Sequence, residues 1–498
     1  MSTVQSRRRA GRSGLAGLLA AAAGVAVAEL IAALTDPAAG PAVAVGGVLV
    51  DAAPTPVKEF AVRTFGTADK PVLLGGIAVA LAVVAVVVGL LAARRRRYGT
   101  AGAALFAVVG AAAALSRPAA GPLAVLPSLV GGAVTGILLW TAHREPPRPD
   151  GFDRRAFLRA AALVAVAGGG AVLTRRVRGG QAARDRAAVR LPAPADPVPP
   201  LPAGQDPGFV TANEDFYRVD TALTVPRVDL GAWRLRIHGR VERPRTFTFA
   251  ELLQRPLVER HITLNCVSNE IGGPYIGTAR WLGVPLAPLL REAGIDPGAD
   301  QVVARSVDGM SIGTPLGTVL DTPDVLLCVG MNGEPLPLEH GFPVRMLTPG
   351  VYGYAGACKW LTEIELTTFA AVDAYWVERG WAPRGPVKTA SRIDRPGSFG
   401  HVRAGSVPVA GVAWAQGRGI AAVEVQVDAE PWRRAELLPV PSDDTWVQWR
   451  LTWAAPPGPH TLRVRATDRT GALQPERRAT PFPDGATGWH TVTVTVDG

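Results

Sequence analysis

The chain has 498 residues, is 48% hydrophobic and 19% charged, and carries a formal net charge of +10. Residues 1–190 hold 23 Lys and Arg against 9 Asp and Glu, and the remainder holds 29 against 33. The positive excess therefore lies among apolar segments, where it orients helices in a bilayer, and the rest lacks the basic field that a phosphate backbone needs, so nucleic acid is excluded as a partner.

In chain order, five apolar stretches come first, at about 14–35, 71–93, 99–116, 122–142 and 156–174. A bilayer core takes about 20 apolar residues per helix, so residues 1–174 read as an all-α membrane domain with five crossings. Glu29 is the carboxylate inside the first stretch; it marks either a functional group or a side chain snorkelling from a helix end. Basic clusters at Arg7–Arg9 and Arg12, at Arg94–Arg97, and from Arg144 to Arg159 are expected on the cytoplasmic side. Everything after residue 174 then faces outward, against which Arg175, Arg176 and Arg178 are discordant.

The fifth stretch opens DRRAFLRAAALVAVAGGG (153–170), two adjacent arginines before a moderately apolar run. It resembles a twin-arginine export signal placed internally; the alternative is an ordinary positive flank. Export in the folded state suits a domain that takes up a bulky cofactor in the cytoplasm. Residues 175–205, ending in LPAPADPVPPLPAGQDP, read as an extended, semi-rigid linker.

From residue 206 the pattern is mixed α+β. WRLRIHGRV, RHITLNCV, DVLLCVGM, FPVRMLTPG and CKWLTEIELTTF read as strands. Short helices are expected after a cap at Thr248 and over 284–294, and a turn at Asn332–Gly333. After about residue 405, short alternating runs (VPVAGVAWA, AAVEVQVDAE, TWVQWRLTW, HTLRVRATD, WHTVTVTV) suit an immunoglobulin-like sandwich, placed over 373–498. The chain holds three cysteines, Cys266, Cys328 and Cys358, without CxxC or a haem-attachment motif, and one bridge or none is open.

Taken together, TANEDFYRV (211–219), TLNCV, IGTARWLGVPL and MNGEPLPLEHGFPVRMLTPGVYGYAGACKWL (331–361) resemble, in order and spacing, the sulfite oxidase-type molybdenum enzymes. The resemblance covers most of 206–370 and implies a molybdenum-molybdopterin cofactor bound within 206–372, with the following β-domain of dimerisation type. It implies that Cys266 is the metal ligand; a thiolate is a soft, strongly donating ligand, and dithiolene and oxo groups complete the set. Arg345 and Lys359 are then the phosphate partners, His340 a donor to the same group or to the pterin edge, and Gly353 a point of close backbone approach. Asn213, Phe216, Tyr217 and Arg218 fit the first motif, and Tyr354 stands beside the last. Cys328 and Cys358 read as structural.

Two departures bear on substrate. Where sulfite oxidases resembling this chain carry arginines after the metal cysteine, this chain has Val267-Ser268-Asn269-Glu270. Where the family places a tyrosine, Trp381 stands, with Arg379, Arg384 and Lys388 as the nearby cations. Trp381 and Arg384 are the expected substrate-side residues, and sulfite, a sulfoxide, another oxyanion or a neutral substrate all stay open. The expectation is an outward-facing, membrane-anchored oxidoreductase catalysing oxygen-atom transfer on a small molecule. The apolar stretches hold one histidine, His143, too few for a bis-histidine haem, so a separate cytochrome or quinone-linked protein is the expected electron partner. Homodimerisation through the β-domain is left open. The rivals are a cofactor-free binding or scaffold protein that kept the fold, a transporter with an accessory domain and, within the family, a sulfoxide reductase.

Overall fold

A computed structural model describes residues 2–54, 57, 60, 64, 65, 68–143, 154–204 and 208–498. The chain divides into two compact units: Met1–Ala183 with Thr221–Arg227, and Arg184–Asp220 with Val228–Gly498.

The first unit is helical. Helices α1 (Ser2–Leu34), α2 (Pro41–Ala52), α3 (Asp69–Arg94), α4 (Arg96–Leu115), α5 (Leu126–Ala142) and α6 (Arg154–Ala188) follow in order. Among the described residues five helices are long and apolar enough to cross a membrane: Ala10–Leu34, Lys70–Arg94, Arg96–Leu115, Pro122–Ala142 and Leu158–Ala188. Their large apolar side chains point outward, as with Val79, Leu105, Ile137 and Val166, while small residues face inward. Gly24 of α1 meets Gly131 of α5 so closely that a Cβ on it would stand 2.5 Å from the Gly131 carbonyl oxygen. Backbone contact of that kind is how helices associate where burial of apolar surface gives no driving force. Glu29 of α1 pairs with Arg175 of α6, and Arg178 donates to the Leu34 carbonyl at 2.7 Å, so these discordant arginines hold α6 against α1. The segment 221–227 belongs to this unit: Lys70 Nζ donates to the Ala222 carbonyl at 2.6 Å, and Leu223 lies over Gly46. The arginines of the export-like motif, Arg154 and Arg155, start α6; their side chains lie outside the described residues.

The expected linker over 175–205 needs correction. Helix α6 runs on to Ala188, because the Ala/Arg-rich stretch before the prolines favours helix. The Pro-rich remainder is not free-standing: Ala195 N donates to Leu257 O at 2.7 Å, and Asp196 pairs with Arg260.

The second unit begins with β1 (Leu235–Gly239), β2 (Arg245–Phe247), α7 (Phe249–Leu253), β3 (Val258–Asn265), β4 (Ile276–Pro285) and α8 (Leu286–Ala293). It continues through β5 (Gln301–Ser306), β6 (Ser311–Pro315), α9 (Leu316–Asp321), β7 (Leu326–Met331), β8 (Glu334–Pro335), β9 (Arg345–Leu347), α10 (Gly353–Gly356) and β10 (Leu361–Thr367). One sheet runs β2-β1-β10-β5-β6, with β1 and β10 parallel; the other runs β3-β4-β7-β8, with β9 also on β7. Local sequence explains several joints. Thr248 and Glu251 form a reciprocal capping box that starts α7. Asn332 and Gly333, with φ of 52° and 86°, take the two left-handed positions of the tight β7–β8 hairpin. The last five residues of β3 are all buried, one face on a core that includes Ile262, Trp281, Phe342 and Leu347.

Beyond this lie β11 (Ala390–Arg395), β12 (Gly400–Arg403), β13 (Gly405–Trp414), β14 (Ile420–Val427), β15 (Arg433–Arg434), β16 (Glu436–Leu437), β17 (Val447–Ala455), β18 (Gly458–Asp468) and β19 (His490–Asp497). They form two sheets, β11-β13-β17-β16 and β12-β19-β18-β14-β15, around a shared core that includes Val409, Val423, Trp449, Val464 and Val494. The β-region grips the strand that leads to Cys266. Trp446 N donates to Thr263 Oγ1 at 2.7 Å, Gln416 Nε2 to Thr263 O at 3.1 Å, and Thr263 N to Asp444 O at 2.9 Å.

Candidate active site

Cys266 follows directly on β3, and a tight turn presents it. Its amide donates to Tyr275 O at 3.0 Å, Asn269 N donates back to Cys266 O at 3.1 Å, and Asn269 Oδ1 accepts from Tyr275 N at 2.8 Å. The thiol is 7% exposed. Burial pushes its pKa up, against hydrogen bonds from Ser268 that pull it down. A thiol held in the protonated form loses its proton on metal binding. Tyr217 and Tyr352 feel the cysteine's charge; burial raises both phenols, Tyr352 to about 12. Gly353, at the start of α10, faces the same space: a Cβ there would lie 3.8 Å from both Asn265 O and the Tyr217 hydroxyl.

The residues expected on the phosphate and pterin side come from β9 and the turn before it. Arg345 is 6% exposed, lies 5.3 Å over the Trp281 ring, and leaves its Nε without a partner. His340 Nε2 lies 2.9 Å from Asn213 O, and since a carbonyl only accepts, that nitrogen carries the proton. Nδ1 is then a buried, unpartnered acceptor. Burial, with Arg345 and Lys359 nearby, pushes this imidazole down to about 4. Phe216 packs edge-on against Trp281 and His340 and stacks on Tyr217. Asn213 is fixed by the β7–β8 turn: its Oδ1 accepts from Asn332 Nδ2 at 2.9 Å, and its Nδ2 donates to Glu334.

The other expected residues are distributed differently. Lys359 is buried in an ion pair with Asp220 at 2.7 Å, a partner that sequence reading missed although it lies just beyond the FYRV motif. Arg218 is exposed. Tyr354 donates its hydroxyl to Ala382 O at 2.6 Å and packs on Trp381. Trp381 sits in an apolar cluster with Trp376 and Phe482; the cluster extends to Val267 and Tyr352, which flank the cysteine. The nearby cations are committed or outward-facing: Arg379 donates to Tyr375 O, Lys388 pairs with Asp484 at 2.8 Å, and Arg384 is exposed over the Phe369 ring. Cys328 and Cys358 are fully buried, and burial raises both thiols, Cys328 to about 12.

These residues suit a molybdopterin. Among the described residues, His340 Nδ1, Arg345 Nε and Thr348 Oγ1 are buried without partners, which a polar cofactor with a phosphate and a hydrogen-bonding ring edge would satisfy. Among the described residues no three His, Cys, Asp or Glu side chains stand together as a metal cluster.

Comparison with known proteins agrees. Residues 222–376 match the oxidoreductase molybdopterin binding domain family. Sulfite oxidase of Gallus gallus is 31% identical over 318 residues, covering 54% of this chain and 68% of that protein. The mitochondrial sulfite oxidase of Mus musculus is 29% identical over 354 residues, covering 61% of this chain and 64% of its own length. The chain thus spans about two thirds of these relatives. The crystal structure of the sulfane dehydrogenase SoxCD from Paracoccus pantotrophus superposes with a TM-score of 0.50 at 24% identity, over 58% of this chain and 84% of that one, a likeness of fold. The chain belongs to the sulfite oxidase-type family of molybdopterin-dependent oxidoreductases, and its cofactor is molybdenum-molybdopterin.

Proposed function

We propose that this chain is a membrane-anchored oxidoreductase that transfers an oxygen atom to or from a small substrate on the outer side of a cell membrane. The observation that carries the reading is the buried Cys266 thiol, which shares Tyr217 as a neighbour with Arg345, whose Nε, like His340 Nδ1, has no partner among the described residues. Cys266 would bind molybdenum; Arg345, His340, the backbone beside Gly353 and the Asn213–Tyr217 segment would hold the organic carrier. The cofactor supplies the two-electron chemistry, and the protein binds, orients and excludes water. Lys359, already paired with Asp220, would act on the phosphate side through that pair.

A specific observation favours a neutral substrate such as a sulfoxide over sulfite. Glu270 is exposed directly after the cysteine turn, and Arg379 and Lys388 are already engaged. A carboxylate at that position repels an anion. Trp381 would act by shaping the apolar wall, and Arg384 as an outer contact.

The basic clusters at Arg7–Arg12, Arg94–Arg97 and Arg144–Arg159 support an outer catalytic unit by the positive-inside rule, with the fifth span serving as an internal export-type signal. Electrons would pass to or from a separate cytochrome or quinone-linked protein. The C-terminal sheets would form an immunoglobulin-like module that suits dimerisation.

The test is elemental analysis and electron paramagnetic resonance of the detergent-purified full chain beside Cys266→Ser, followed by turnover with sulfite, nitrate and sulfoxides. Molybdenum near one atom per wild-type chain and an altered signal in the variant support the reading; a metal-free, folded wild-type protein sinks it. Protease accessibility in oriented vesicles reports the sidedness.

A further inference from the structure

We propose that a small cavity lined by the turn that follows Cys266 is a water-binding position, and that Glu270 at its rim passes protons between that water and solvent. The proposal rests on the oxygen-atom-transfer reading above. The cavity is lined by Asn265, Asn269, Glu270, Tyr352, Ser391 and Trp414, among others, and its floor admits a molecule of water's size.

Most polar atoms around it are already committed. Asn269 Oδ1 accepts from Tyr275 N, Ser391 Oγ donates to Gln474 at 2.7 Å, and the Tyr352 hydroxyl accepts from Lys388 N at 3.3 Å. Two buried ones have no partner among the described residues: Asn265 Oδ1 and Trp414 Nε1, in side chains that are 3% and 4% exposed. One is an acceptor and the other a donor. Water satisfies both at once, taking the indole hydrogen on its oxygen and giving a hydrogen to the amide. An anion would meet the amide oxygen and the Glu270 carboxylate; a cation would meet the indole N–H.

The position matters because Asn265 adjoins the metal-binding cysteine. Oxidising a substrate X by oxygen-atom transfer is X + H2O → XO + 2 H⁺ + 2 e⁻. The electrons leave to a one-electron carrier protein, and the oxygen and both protons come from water; reduction runs the same balance backward. Protons need a way to bulk solvent, and Glu270 is exposed and forms no ion pair among the described residues. The other charged neighbours are occupied. Arg392 donates to Gly273 O at 2.7 Å and pairs with Asp394 at 2.6 Å. His490, packed on Gly272, accepts from Ile393 N through Nδ1. Asn265 and Trp414 are thus positioning residues, and Glu270 is the relay.

The test has two arms on the full-length protein. A high-resolution crystal structure should show an ordered oxygen within about 3 Å of both Trp414 Nε1 and Asn265 Oδ1, lost in Trp414→Phe. A dry cavity, or one filled by another group, overturns the proposal. With a neutral sulfoxide as substrate, Glu270→Gln should keep wild-type molybdenum content and KM, lower kcat about tenfold, enlarge the solvent isotope effect, and recover turnover on adding imidazole as a diffusible proton carrier. Unchanged kcat, or a loss that imidazole does not restore, overturns the relay. A protein without molybdenum would instead defeat the parent reading, while the ordered oxygen and its loss in Trp414→Phe would still be readable.

Discussion

Lys359 Nζ stands 2.7 Å from Asp220 Oδ2, with each side chain less than a tenth exposed. The ammonium also donates to Glu339 O at 3.2 Å and lies 4.7 Å over the Trp360 ring. Removing one partner of a buried pair strands the other charge, so Asp220→Asn should destabilise the catalytic unit by about 3–5 kcal/mol in chemical denaturation. Replacing both partners by apolar residues should cost markedly less. Equal losses in the single and double variants would refute a coupled pair.

Arg345 is placed to make charge-assisted hydrogen bonds through an Nε that has no partner among the described residues. Such a bond contributes about 1.5–3 kcal/mol, or roughly tenfold to a hundredfold in affinity. Arg345→Met should therefore purify with much less pterin and molybdenum while folding normally, as judged by circular dichroism. Wild-type cofactor content in this variant would remove Arg345 from the cofactor set.

The three thiols should separate cleanly by metal content. Cys266→Ser should lose or grossly alter the molybdenum signal. Cys328→Ala and Cys358→Ala should retain metal and show only the modest destabilisation of a small cavity, because both are packed at 0% exposure. Metal loss in either alanine variant, with stability unchanged, would contradict their structural role.

His490 predicts an acid-sensitive fold. Burial, with Arg392 beside it, lowers its pKa to about 4 from the ordinary 6.5. The unfolded chain therefore binds this proton more readily than the folded one. The contribution is fully present above pH 6.5 and is lost as pH falls through about 4. His340 works in the same direction. Thermal unfolding of the wild type should weaken over that window, and His490→Gln should give a shallower slope; an identical slope would refute the assignment.

Much of this was legible because local chemistry forced it. The five helices long and apolar enough to cross a membrane, among the described residues, declare themselves by length and apolarity, whereas Pro41–Ala52 is too short to register as one. Thr248 with Glu251, and Asn332 with Gly333, carry their cap and turn in the residues themselves. Cys266, His340 and Arg345 sit in contiguous motifs, so the sequence alone singles them out as candidates. Asp220 and Trp446 do not stand out in the sequence, since each acts across more than 130 residues and only the folded chain brings it to its partner. Short pairings such as β15 and β16 carry no periodicity at two residues each.

The stitch formed by TALTVPR (221–227) governs how this protein can be handled. These seven residues pack with the helical unit, while the chain on both sides of them belongs to the catalytic one. A gene shortened to start after residue 205 keeps the peptide but deletes its berth, the Lys70 ammonium that holds Ala222 and the Gly46 floor beneath Leu223. Such a fragment would carry a loose, greasy loop one residue from Asp220 and hence from the buried ion pair. Biochemists wanting a soluble enzyme should resect or recode that loop rather than trim the amino terminus alone.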